Sequence, residues 1–163
     1  MSDIVALALK YAPKGIAIFS AAIFLDSLRY KFTDHPKTQE IFGRLDDWAG
    51  SIGAPGLFGH TGVFSQYLIG GAELVASTLL LIGAFYTPYR FLLPLGALLG
   101  LAVMTGAVSF HLFTPLGIDP NGDGGGLFRA ACLVWVLSLA LLLLRADDLD
   151  LLGRRAGAFL APA

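Results

Sequence analysis

Residues 63–85 form an apolar run that holds one formal charge, Glu73. A helix of about 20 apolar residues, rising ~1.5 Å per residue, crosses the ~30 Å hydrocarbon core of a bilayer. A carboxylate inside such a span is costly, at least ~2.5–3.5 kcal/mol on insertion scales, unless it is paired, protonated or facing water. The run therefore predicts a membrane protein in which some group of the same bundle faces Glu73. Composition agrees: the 163 residues are 56% hydrophobic and only 14% charged, against a usual ~25% charged.

The length suits a single domain, residues 1–163. Three more apolar segments, at about 15–32, 91–113 and 127–144, complete an all-α membrane four-helix bundle. The second and third spans are joined by the short link Tyr86-Thr-Pro-Tyr-Arg-Phe91, which forces an antiparallel hairpin. Pro88 suits the break, and the tyrosines and Arg90 suit a headgroup interface. Gly96 and Gly100 make a GxxxG, matched by Ala72 and Ala76 in the second span. Such pairs let helix backbones approach closely, within the bundle or in a homodimer.

The connection between the first two spans is too long for a turn. Its stretch 36–48 places Ile41, Phe42, Leu45 and Trp48 on one helical face with charges opposite, the pattern of an amphipathic helix lying in the interface. Asp34 is a candidate cap for it, and Pro36 fits a first turn. The Gly-rich piece that follows, 51–62, is expected to pack over the mouth of the bundle.

Several functions are disfavoured at once. A net charge of −1 leaves no basic footprint for nucleic acid. Cys132 is the single cysteine, so neither an internal disulfide nor a CxxC redox couple can form. His35 and His60 fall in the long loop, which leaves His111 without a partner for haem ligation. No metal-ligand spacing stands out. The loop from Asp119 to Gly124 matches the first half of a calcium loop, yet its twelfth position is Ala130 rather than a bidentate Glu. A tight turn accounts for it equally. The N-terminal apolar stretch lacks a cationic segment and cleavage site of signal-peptide type.

Threading the four spans up and down brings Asp26, Arg29, Lys31, Glu73, His111 and Arg129 toward one half of the bundle. The other half is free of charge, which suggests a polar pocket open to one side rather than a pore. Asp26, Arg29, Lys31, Glu73 and His111 are the candidate ligand-binding residues. Each also has a plain structural reading. Glu73 would pair with Arg29 or Lys31, Asp26 would neutralise Arg29 three residues on, and Arg129 would snorkel to the headgroups. Six basic residues on the side of the termini, Arg154 and Arg155 among them, face five on the other. The positive-inside rule then puts both termini in the cytoplasm.

Two stretches carry a family likeness. Residues 70–88 (GGAELVASTLLLIGAFYTP) and 23–32 (IFLDSLRYKF) resemble the second helix and the end of the first in the DoxX family of small four-helix membrane proteins. The resemblance covers roughly residues 12–146, with Glu73 and Lys31 at the matching positions and Leu28 where the family usually has glycine. It implies a bacterial inner-membrane protein associated with quinone-linked oxidoreductases. The chain would be a membrane or quinone-docking subunit whose redox centre belongs to a partner, with a quinone as its ligand. A carrier or exporter of small molecules, and a structural scaffold, are the other functions compatible with the residues.

Overall fold

A computed structural model describes residues 3–149 and residue 153. Its elements among the described residues are α1 (Asp3–Lys31), α2 (Pro36–Ser51), α3 (Gln66–Phe85), α4 (Leu92–Phe113) and α5 (Gly126–Leu144), with a short 3₁₀ turn at Thr87–Tyr89 between α3 and α4. No strand occurs among the described residues. α1, α3, α4 and α5 are each long and apolar enough to cross a membrane. They close a ring in the order α1, α3, α4, α5 and back to α1.

The neighbours run antiparallel. Lys31 at the end of α1 meets Glu73 in the first half of α3. At the other end the Lys14 ammonium lies 4.6 Å from the ring centre of Phe85. The core between the four helices is built largely from small residues (Ala17, Ala21, Ala76, Ala97, Ala131) around Phe24, Leu80, Leu93, Val134 and Leu141. Small residues let helices close up where lipid provides no hydrophobic drive for association. Leu74, Val75, Leu98, Val136 and Leu143 point outward and are exposed. The bundle is thus apolar on its outside as well as its inside, as lipid contact requires.

The first span begins earlier than hydropathy suggests. α1 starts at Asp3 and passes through Lys10, Pro13 and Lys14, so its 29 residues reach about 44 Å at ~1.5 Å each, well beyond a ~30 Å core. The two lysines mask the helix in a hydropathy reading. Pro13 is fully buried and stays inside the helix, where packing against neighbours offsets the lost hydrogen bond. The second span begins at Gln66 rather than Val63, because the Ser65 hydroxyl accepts the Leu68 N–H at 3.2 Å and starts the helix there. Arg154 and Arg155 lie outside the described residues.

α2 is a helix, as its pattern predicts, and extends to Ser51. Its cap is His35, whose Nδ1 accepts the Lys37 N–H at 3.3 Å, and not Asp34. Asp34 has a positive φ of 51°, the left-handed geometry that short polar side chains tolerate best among non-glycine residues. It turns the chain out of α1, which leaves His35 as the residue entering α2. The apolar face of α2 is covered by its own chain: Leu45 and Ala49 pack with Phe58 and Leu116, flanked by Ile41, Phe42, Trp48 and Phe110. The Gly-rich loop supplies part of this cover through Ala54, Leu57 and Phe58. Gly62 is required there, since a Cβ would lie 2.3 Å from both the Gly56 and Leu57 carbonyl oxygens.

The GxxxG of α4 is consumed within the chain. Gly96 lies against Leu80 and Ala76 of α3, and Gly100 against Phe24 of α1 and Ser138 of α5. A homodimer would have to use another face. At the far end, the buried Asp148 carboxylate accepts from Arg90 at 3.0 Å and tethers the chain after α5 to the α3–α4 hairpin.

Candidate functional site

Lys31 and Ser27 sit one helical turn apart on the face of α1 that meets α3. Glu73, seven residues beyond Gln66 and so about 11 Å along α3, faces both. The Lys31 Nζ donates to Glu73 Oε2 at 2.9 Å and Oε1 at 3.0 Å, and to the Ser27 oxygen at 2.6 Å. Ser27 in turn donates to Glu73 Oε2 at 2.5 Å. The Glu73 side chain is 3% exposed and that of Lys31 15%. A carboxylate inside an apolar span is therefore matched by one cation and one hydroxyl, with both oxygens occupied. Lys31 also closes α1, where a helix C-terminus favours positive charge.

The remaining sequence candidates lie elsewhere. Arg29 and Asp26 pair at 2.6 Å with side chains 69% and 59% exposed. Asp26 precedes Lys31 by five residues, which is about 140° round the helix, so it points away from α3. His111 is buried, and its Nδ1 donates to the Gly117 carbonyl at 2.6 Å, with Phe128 edge-on at 5.5 Å. No hydrogen bond joins it to Glu73 among the described residues. Arg129 is exposed. At Glu73 itself, Lys31 and Ser27 hydrogen-bond both carboxylate oxygens.

A second polar cluster adjoins the pair, and sequence reading missed it. The Gln66 amide donates to the Lys31 backbone carbonyl at 2.8 Å and to Asp34 Oδ1 at 2.6 Å. Gln39 donates to Gln66 Oε1 at 2.7 Å and to Asp34 Oδ1 at 3.1 Å. The Tyr67 hydroxyl donates to the same Asp34 oxygen at 2.5 Å, and His60 lies against the Tyr67 ring. Three side chains, one from α2 and two from α3, thus converge on one aspartate. The one sequence signal was the Gln66-Tyr67 pair opening an otherwise apolar span. Beside this cluster, between α2 and the loop, lies an open cleft of about 150 Å³ that reaches Gln39 and Gln66.

The Tyr67 hydroxyl holds the Asp34 carboxyl below the usual carboxylate range; burial opposes this, and the Gln66 amide and His60 assist. A depressed value in the folded protein means that Asp34 contributes stability above its unfolded pKa of ~3.9. That contribution disappears as pH falls through the lower folded value. The Asp34 carboxyl carbon should therefore titrate below ~3.9 by NMR, and Tyr67→Phe should move it back up. A wild-type midpoint at or above ~3.9 would contradict the network.

No metal-binding cluster of His, Cys, Asp or Glu occurs among the described residues. In the calcium-like loop, Asp119 uses its oxygens on the Asp123 N–H at 2.9 Å and the Gly124 N–H at 3.2 Å. The loop is a tight turn leading to a left-handed Gly125 at the start of α5. No protein-family model, curated protein or solved structure matches this chain.

Proposed function

We propose that the chain is a DoxX-like multi-pass protein of a bacterial inner membrane, serving as the quinone-interacting subunit of an oxidoreductase. Both termini are cytoplasmic in this reading, and α2 lies in the opposite interface as the lid of the bundle. The observation that carries it is the Lys31–Ser27–Glu73 triad, a set of polar and ionisable groups held inside apolar spans. Intramembrane ionisable residues face bundle interiors and mark proton or ligand paths. Lys31, more exposed than Glu73, is the point of access. Its ammonium can turn from Glu73 to a quinone carbonyl oxygen, and Glu73 then holds or relays the proton that the reduced oxygen takes up. Electrons come from the partner, because Cys132 is the single thiol and forms no redox couple here.

A second reading has support of its own. Both Glu73 oxygens are already satisfied in the closed bundle, which suits a clamp that sets the register of α1 on α3. A carrier function would use the same triad, but four spans without a repeat offer little for alternating access.

Extraction of lipophilic molecules from the purified protein, followed by mass spectrometry, separates the readings. Wild type should retain a quinone that Glu73→Gln loses while remaining folded. No quinone in either protein, with both equally stable, would end the redox-subunit reading and leave the clamp.

A further inference from the structure

The cleft between α2 and the Gly-rich loop is separate from the Lys31–Glu73 centre. Its walls carry Gln39, Phe42 and Asp46 from α2, Phe58 and His60 from the loop, and Gln66 from α3. The volume, about 150 Å³, equals that of engineered cavities that take one benzene ring. The part of an occupant that enters the cleft is therefore about a single ring or a group of similar bulk.

The hydrogen-bonding state of the walls decides the chemistry. Both N–H bonds of the Gln66 amide are spent, on the Lys31 carbonyl and on Asp34. Those of Gln39 are spent on Asp34 and on Gln66 Oε1. The Lys31 carbonyl and the Asp34 carboxylate can only accept, so the amide orientations are fixed by their partners. What the two glutamines still offer is oxygen. Asp46 accepts the Phe58 N–H through Oδ1 at 3.0 Å, and its Oδ2 has no hydrogen-bond partner among the described residues. Asp34 stands directly behind Gln39 and Gln66 and adds a second negative charge. Lys31 is engaged with Glu73 and Arg44 with Glu40, and the basic side chain in the wall is His60, whose ring lies against Tyr67. Two phenylalanine rings complete the lining, and aromatic faces attract cations.

From these walls we infer that the cleft is a binding site for a small organic ammonium group, held by Asp46 and the glutamine oxygens against Phe42 and Phe58. A neutral acceptor such as a carbonyl finds no free amide donor there and only the His60 ring N–H to meet it. An ammonium group finds a carboxylate and free lone pairs together, beside two aromatic rings. The same chemistry occurs on an ethanolamine lipid headgroup and on a water-soluble amine. α2 and the loop form the cap at the bundle end, where either source has access.

Two substitutions test the site without disturbing the fold. Asp46→Asn removes the charge and keeps an oxygen for the Phe58 N–H. Gly43→Leu fills the cleft, since Gly43 lines it, is helical, and has no atom within 4 Å of a Cβ placed there. The probe is benzylammonium, with benzyl alcohol as its neutral counterpart. Binding to the full chain in maltoside micelles, which carry no ammonium group, is followed by saturation-transfer NMR. Wild type should bind benzylammonium saturably and discriminate against the alcohol. Asp46→Asn should weaken binding about tenfold or more, and Gly43→Leu should abolish it with the melting temperature preserved. Absence of saturable binding, equal binding of the alcohol, or binding that survives Gly43→Leu would overturn the inference. Added phosphatidylethanolamine that displaces the probe identifies a lipid headgroup as the ligand. If it has no effect, the ligand is a soluble amine.

Discussion

Glu73→Ala should destabilise the bundle by about 3 kcal/mol. Removing one partner of a buried ion pair typically costs ~3–5 kcal/mol, because the other charge stays buried without compensation. Here the stranded group is Lys31, whose ammonium also loses the ordering that Ser27 and Glu73 share. With 15% of its side chain exposed, Lys31 can partly relieve the loss by extending toward the headgroups, which places the effect at the low end of the range. The double substitution Lys31→Met with Glu73→Gln removes both charges at similar volume. It should recover stability to within about 1 kcal/mol of wild type, since desolvation of the pair is removed with its attraction. Reversible unfolding in detergent or by steric trapping provides the numbers. If Glu73→Ala costs less than about 1 kcal/mol, the pair is not what joins α1 to α3. The double variant has a second use. If it is stable yet loses the bound lipophile, the charges serve function; if it keeps the lipophile, they serve only the fold.

The second large effect is expected from Gly96→Val. A Cβ at this position would lie 2.9 Å from Leu80 Cγ, 3.0 Å from the Leu80 backbone nitrogen and 3.1 Å from the Ala76 carbonyl oxygen. Two of those atoms belong to the backbone of α3 and cannot turn aside as a side chain would. α3 and α4 must then separate, and the fully buried Ala76 and Leu80 lose their contacts. Overpacking of this kind costs ~1–3 kcal/mol and sometimes more. We expect about 3 kcal/mol for valine and a smaller loss for alanine. Gly71, where a Cβ would meet nothing within 4 Å, is the control, and Gly71→Val should change the melting temperature little. Equal losses at both positions would mean that helix propensity, not the close approach of α3 and α4, governs the result.

What was legible from residues alone follows the strength of the local signal. Four apolar segments predict four spans because hydrocarbon requires every backbone group to be satisfied within the helix. The pattern at 36–48 exposes a helical stripe directly, and α2 carries it. The prediction that something in the bundle faces Glu73 rests on the expense of an unpaired charge in lipid, and Lys31 faces it. The local signal fails at the ends of helices. Lys10, Pro13 and Lys14 conceal the first turns of α1, because a hydropathy profile scores their charge and not their packing. Asp34 and His35 are both chemically able to cap α2, and only the left-handed backbone at Asp34 assigns the cap to His35.

The sequence by itself determined the class of protein, the antiparallel α3–α4 hairpin and the need for a counter-charge to Glu73. Each of these is a solvation requirement that a segment meets or fails on its own composition. Only the tertiary structure decided that the counter-charge is Lys31 and not Arg29, that Ser27 joins them, and that Asp26 points away. It alone collected Asp34, Gln39, Gln66 and Tyr67 from distant segments, and it opened a cleft between α2 and the Gly-rich loop. Such choices depend on the rotation of each helix about its own axis. That rotation is set by how small residues such as Ala76, Gly96 and Gly100 let neighbouring backbones approach, a property of pairs of helices that no single segment contains.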